Sequence, residues 1–129
     1  LTGISLHKID THRRLCIQKD LGELNTWHTL LECFNKELDH ITIIEKQLIK
    51  TASLLNLIQA IRRKNILMMA DLCKYEQELK SEYEYGKVDY DLKRLKVHEH
   101  KRTCYLKLIG ECHAFKNQFY MSLRMYRRK

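Results

Sequence analysis

From Leu24 onward, apolar residues recur at alternating three- and four-residue steps. That spacing places them on one face of a helix, whereas a strand would need strict alternation. Written as heptads, Leu24, Leu31, Leu38, Glu45 and Ala52 occupy position a, and Trp27, Phe34, Ile41, Leu48 and Leu55 occupy d. Glu45 alone in this set is not apolar, and a seam sustained over almost five heptads predicts a coiled coil. Beyond Leu55 the frame fails, because it would bury Gln59 and Arg62. A shifted frame restores it through Ile58, Ile61, Asn65, Met68, Leu72, Tyr75 and Leu79. Such a slip either changes the supercoil winding or marks where a third helix packs. Asn65 at a core position favours one register at some cost in stability.

A third stretch reads Val88, Leu92, Leu95, Arg102, Leu106, Ile109 and Leu123, with Glu99, His113 and Lys116 in core phase. Its partner must therefore accept polar groups. The pattern divides the chain into a lead-in over 1–10, a long coiled-coil helix over 11–85 and a basic second helix over 86–129. Ser5 or Thr11 offers a cap for the start. Gly86 is the candidate break, but glycine in a helix costs only about 1 kcal/mol against alanine. A continuous helix and an antiparallel hairpin both satisfy the pattern, and Gly22 and Gly110 read as tolerated inside helices. An unbroken helix from Thr11 to Tyr126 would be roughly 170 Å long. Its apolar stripe has to be covered, by the chain folding back or by other chains.

Composition sharpens this all-α reading. No proline occurs in 129 residues and only four glycines do, too few turn formers for a sandwich or barrel. Charged residues make up 31% of the chain. The longest strictly apolar run, Ile66 to Ala70, is far below the ~20 residues of a membrane span. Five cysteines without tight spacing read as reduced thiols of a cytosolic or nuclear setting. Beginning at Leu1 and closing on Arg127-Arg128-Lys129, the chain reads as a segment of a longer polypeptide.

Charge is unevenly distributed. Residues 1–70 carry a net +3, residues 71–91 a net −4, and residues 92–129 a net +9. The basic stretch Lys93, Arg94, Lys96, Lys101, Arg102, Lys107, Arg124, Arg127 and Arg128 predicts contact with an acidic surface. A fold-back near Gly86 would instead set acidic 71–85 beside basic 87–102 and cancel part of that charge internally.

Candidate chemistry is sparse. His98, His100, Cys104, Cys112 and His113 crowd together, and His100 and Cys104 stand at i and i+4 on one helical face. Two such ligands fall short of the four a structural zinc needs, and Cys112 lies two turns further on, so neither metal nor other cofactor is expected. No Gly-rich phosphate loop, nucleophile elbow or HExxH occurs, and a two-helix rod lacks a deep pocket, so the expectation is a non-enzyme. Ile58, Gln59 and Arg63 resemble the opening of an IQ motif, which implies a calmodulin-type target helix over Ile58–Met69. Lys64 stands where that motif has glycine, and Met69 where it has a later basic residue. Ile58, Ile61, Ile66 and Met69 would be the groove anchors, and the competing reading makes them helix core. A nucleic-acid reading uses Tyr105, Phe115, Phe119, Tyr120 and Tyr126 to stack on bases among the lysines and arginines. A membrane-surface helix over Phe119–Lys129 would have only a short apolar face.

The seam from Leu24 to Leu55, continued through Ile58, Leu72 and Leu79, the absence of proline and the basic tail together resemble structural coiled-coil proteins of the ciliary axoneme and centrosome. That resemblance implies a cytoplasmic, cytoskeletal scaffold or tether. Its partners would be other coiled-coil proteins and the acidic tubulin of microtubules. The alternatives are a nucleic-acid-binding helical module and the calmodulin-type target.

Overall fold

Buried side chains follow the expected helical period from Arg13 to Glu45 without a missed step. The row is Arg13, Ile17, Asp20, Leu24, Trp27, Leu31, Phe34, Leu38, Ile41, Glu45, spaced four and three in turn. These residues belong to a computed structural model that describes residues 2–50, 52–86 and 89–125. The chain is all-α. Helix α1 spans Thr2–Ile44 and runs into a π-helical turn over Glu45–Ile49; α2 spans Ala52–Tyr85 and α3 spans Leu92–Arg124. No strand occurs among the described residues.

The three helices lie up, down and up. Side-chain pairs between α1 and α2 join early to late positions: Gln18 to Tyr83, Asn35 to Asn65, Asp39 to Arg62. Between α2 and α3 the order also reverses, with Glu82 on Arg94, Asp71 on Lys101 and Lys64 on Glu111. Between α1 and α3 it runs in the same direction, from Glu23 on Arg102 to Glu37 on Lys116. The apolar stripe is thus covered by the chain's own other helices, which is the fold-back solution to the burial problem.

The unbroken helix expected over 11–85 is corrected to two. Lys50 adopts a left-handed conformation, φ 54° and ψ 42°, and its N–H donates to the Glu45 carbonyl five residues back at 2.7 Å. That bond closes the wide π turn, and the left-handed residue then takes the backbone out of the helix. Core phase restarts afterwards. Leu48 is left 44% exposed and Leu55 only half-buried, while Leu54 opens the row of α2. The shifted frame holds from there, with Ile58, Ile61, Asn65, Leu72, Tyr75 and Leu79 buried and Met68 half-buried. Residues 2–10, expected as a lead-in, are the first turns of α1.

The frame expected for the third helix is also corrected, by about one position. The buried row of α3 is His98, Tyr105, Leu108, Cys112, Phe115 and Phe119, whereas Leu92, Leu95 and Leu106 are exposed and Ile109 is half-buried. Aromatic rings decide the matter. Tyr105 stacks on Trp27 at 4.9 Å between centroids, and Phe115 meets Phe34 edge-on at 6.5 Å. A large ring buries more area than a leucine and adds directional ring contacts, so this face wins. Val88 lies outside the described residues.

Helix α2 ends at Tyr85, next to the expected break at Gly86. The Gly86 N–H bonds to the Glu82 carbonyl at 2.9 Å, and a Cβ at this position would sit 2.5 Å from that same oxygen. Only a residue without a side chain fits. Asp91 then starts α3, its carboxylate accepting from the Arg94 N–H at 3.0 Å. Gly22 and Gly110 lie inside α1 and α3, as expected.

Candidate functional site

The fold sorts the basic residues of the last stretch into two groups. Arg94 pairs with Glu82 at 2.6 Å, Lys101 with Asp71 at 2.9 Å, and Arg102 with Glu23 at 2.6 Å. Lys116 joins them through Glu37 at 3.1 Å. Charge cancellation by the fold-back therefore takes place, and α1 contributes to it as much as the acidic stretch of α2. Lys93, Lys96 and Lys107 remain exposed, and among the described residues no carboxylate bridges them. At ~100° of helical rotation per residue, these three and His100 fall within roughly 60° of arc on α3. They form one stripe on the outer face, beside the groove between α2 and α3. Arg124 is exposed on a different side of the helix, and Arg127 and Arg128 lie outside the described residues.

A second polar cluster is buried where all three helices meet. His98 is 1% exposed. Its Nδ1 lies 2.8 Å from the Tyr75 hydroxyl of α2, and its Nε2 lies 3.1 Å from Glu23 and 3.4 Å from Asp20 of α1. Carboxylates only accept, so Nε2 carries a proton, and in the neutral ring Nδ1 then accepts from Tyr75. Trp27 stacks on the imidazole at 5.4 Å. The Tyr90 hydroxyl donates to Asp20, and Arg102 donates to both oxygens of Glu23 through Nε at 3.0 Å and a terminal nitrogen at 2.6 Å.

The two carboxyls are tuned in opposite directions. Hydrogen bonding from Arg102 holds Glu23 below its usual range, against a smaller opposing effect of burial. Burial pushes Asp20 up, with Tyr90 and His98 pulling it partly back. Burial also raises the Tyr75 and Tyr90 hydroxyls well above their ordinary range.

Asp20, Glu23 and His98 bring three potential metal-ligand atoms within 4.8 Å of one another. Each of the three already has a hydrogen-bond partner within the cluster, and the Arg102 cation sits on the Glu23 oxygen nearest His98. The cluster is complete as a hydrogen-bonded joint between helices, and a cation there would have to displace Arg102. A further polar layer lies one helix-third away: Asn65, fully buried, donates to Asn35 at 3.0 Å and accepts from the Cys112 thiol at 3.6 Å. Burial raises that thiol to about 11, so it stays protonated. This places Asn65 in the core, as its heptad position implied.

The other candidates resolve as packing. His100 and Cys104 do face each other at 3.7 Å, as do His12 and Cys16 at 3.6 Å, each a two-ligand pair along one helix. Ile58 and Ile61 are buried in the bundle and Met69 is half-buried, so the calmodulin-type segment has its apolar anchors committed; Ile66 is exposed. Tyr105, Phe115 and Phe119 are buried and cannot stack on bases, whereas Tyr120 is half exposed; Tyr126 lies outside the described residues. Burial of Phe119 also removes the chief apolar residue of the membrane-surface segment. Among the described residues, no helix is long and apolar enough to cross a membrane.

Sequence reasoning missed the His98 cluster. Its members come from positions 20, 23, 75, 90, 98 and 102, and only the α3 frame, one position away from the aliphatic one, would have put His98 inside. Comparison of the chain with protein-family models, curated proteins and solved structures gives no match.

Proposed function

We propose that this chain is a non-enzymatic helical docking module that presents the basic outer face of α3 to an acidic surface. One observation carries the reading. After Arg94, Lys101, Arg102 and Lys116 are drawn into internal pairs, Lys93, Lys96 and Lys107 remain together on one exposed stripe. Unpaired like charges on one helix face repel each other, and an opposing negative surface relieves that repulsion. The likeness to axonemal and centrosomal coiled-coil proteins suggests a microtubule or axonemal wall as that surface and a cytoskeletal scaffold as the role. The internal hydrogen bonding of the His98 cluster supports a structural rather than catalytic part for it. A nucleic-acid reading would rest on the lysines and Tyr120, the buried aromatics Tyr105, Phe115 and Phe119 being committed to packing.

Microtubule co-sedimentation across a salt series tests this. The expected result is binding at low salt that is lost at high salt, where exposed charges are screened. The triple variant Lys93→Glu/Lys96→Glu/Lys107→Glu should abolish it without altering helix content. Binding that survives both salt and charge reversal would overturn the proposal. A gel shift with duplex DNA and no tubulin binding would move the assignment to nucleic acid.

A further inference from the structure

The groove between α2 and α3 differs from the other helix junctions. Two successive depressions run along it, from Leu67 and Lys107 to Leu57 and Gln118, and a third, lined by α3 alone between Leu92 and Lys101, extends it on the outer side of α3. Its apolar surface comes from Leu57, Ala60, Leu67, Leu92, Val97 and Ala114. Of these, Leu67 is 61% and Leu92 63% exposed, large aliphatic groups left in water. Lysines rim it: Lys64, Lys93, Lys96, Lys101 and Lys107. Two carboxylates line these three depressions, and both are bridged already, Asp71 by Lys101 and Glu111 by Lys64; Glu78, Glu82 and Asp91 lie further along the α2–α3 junction, toward the turn.

We infer that this groove is the seat of a fourth helix, supplied by a partner as an acidic amphipathic segment. The inference rests on the basic-face reading above and narrows its acidic surface to a helix with an apolar edge. Three observations specify the occupant. The three depressions together follow α3 from Leu92 to Gln118, about 40 Å at ~1.5 Å per residue, which matches a helix of roughly 25 residues. Its floor is apolar, so the occupant needs apolar residues at i, i+3, i+4 and i+7. Among the described residues no carboxylate bridges Lys93, Lys96 or Lys107, so the flanks of the occupant have to be acidic. A second copy of this chain fits poorly by charge, because its most exposed stripe is the same basic face.

A labelled 25-residue peptide tests the proposal directly. It carries leucine at heptad positions a and d and glutamate at the flanking e and g positions, where like charges suppress its pairing with itself. Its twin carries lysine in place of each glutamate. Anisotropy titration with the full chain should give saturable binding of the glutamate peptide, weakened at least about tenfold by raising salt through the range that screens surface charge. The lysine twin should not bind. Leu67→Glu and, separately, Lys96→Glu/Lys107→Glu should each weaken binding by about tenfold or more; all three positions are exposed, and unchanged circular dichroism confirms the fold. Equal binding of the two peptides, or indifference to Leu67→Glu, would overturn the inference. So would a dimer of this chain in sedimentation that Leu67→Glu dissolves, because a second copy would then be the occupant. Failure here is separable from failure of the basic-face reading. If Leu67→Glu leaves microtubule co-sedimentation intact while lysine reversal abolishes it, the helix seat is wrong and the basic face stands.

Discussion

Glu23 occupies the junction of two demands. Its carboxylate accepts from Arg102 twice and faces His98, so its ionised form is favoured in the folded chain and its proton affinity is lowered. A carboxyl with a depressed folded value adds stability that is complete above its ordinary value of 4.5 and is lost as pH falls through the lower folded value. Asp20, three positions earlier in the chain and in the same cluster, has the opposite sign. Its raised value means the folded state holds the proton more tightly, so its contribution improves as pH falls through that value. Substituting Glu23→Gln separates the two. Urea denaturation of both proteins between pH 3 and 7 should show the variant less stable at neutral pH. The gap should narrow as pH drops below 4.5. A gap that stays constant across this range would mean that the Arg102 pair does not set the pH dependence.

At the level of the elements, the two turns are built from contrasting residues. Lys50 pays for a left-handed backbone that glycine adopts freely, at a cost of about 1–2 kcal/mol for a residue with Cβ. Lys50→Gly should therefore raise the free energy of unfolding by about 1 kcal/mol, read from a urea midpoint. Gly86 is the reverse case. A Cβ would meet the Glu82 carbonyl at 2.5 Å, backbone that has to move, and Gly86→Ala should cost about 1–3 kcal/mol. A neutral Gly86→Ala would show that the α2–α3 turn is looser than drawn. The same two turns explain what could be read from the chain beforehand. Gly86 is punctuation that a sequence displays, and the all-α class and the α1 row from Leu24 to Ile41 follow from spacing alone. Lys50 carries no such mark, and the only trace of its turn is that the heptad frame fails after Leu55. The α3 frame was hidden for another reason. Hydropathy favours Leu92, Leu95 and Leu106, and the gain from stacking Tyr105 on Trp27 exists only once α1 is beside it. The basic stripe was legible as a surplus of charge, but which basic residues stay unpaired depends on Glu23 and Glu37, far away in sequence.

For the whole molecule, the question is why three helices with similar 3–4 apolar rows settle into one alignment. Apolar rows tolerate sliding by a heptad, since one leucine replaces another. The two polar layers do not. The His98 cluster needs Glu23 and Tyr75 at its own height, and Asn65 needs Asn35 and Cys112 at its own. Sliding any helix by seven residues would bury these groups without partners, at about 1–3 kcal/mol for each unsatisfied group. A single buried asparagine fixes register in this way while reducing stability relative to an apolar residue. Asn65→Leu tests the argument on the intact chain. Thermal stability should be kept or raised, because leucine buries more apolar area where Asn65 is now fully enclosed. Alignment should become degenerate, with broadened amide resonances and more than one species in sedimentation. A variant that stays one monomeric species with undiminished spectral dispersion would show that the His98 layer alone holds the three helices in place.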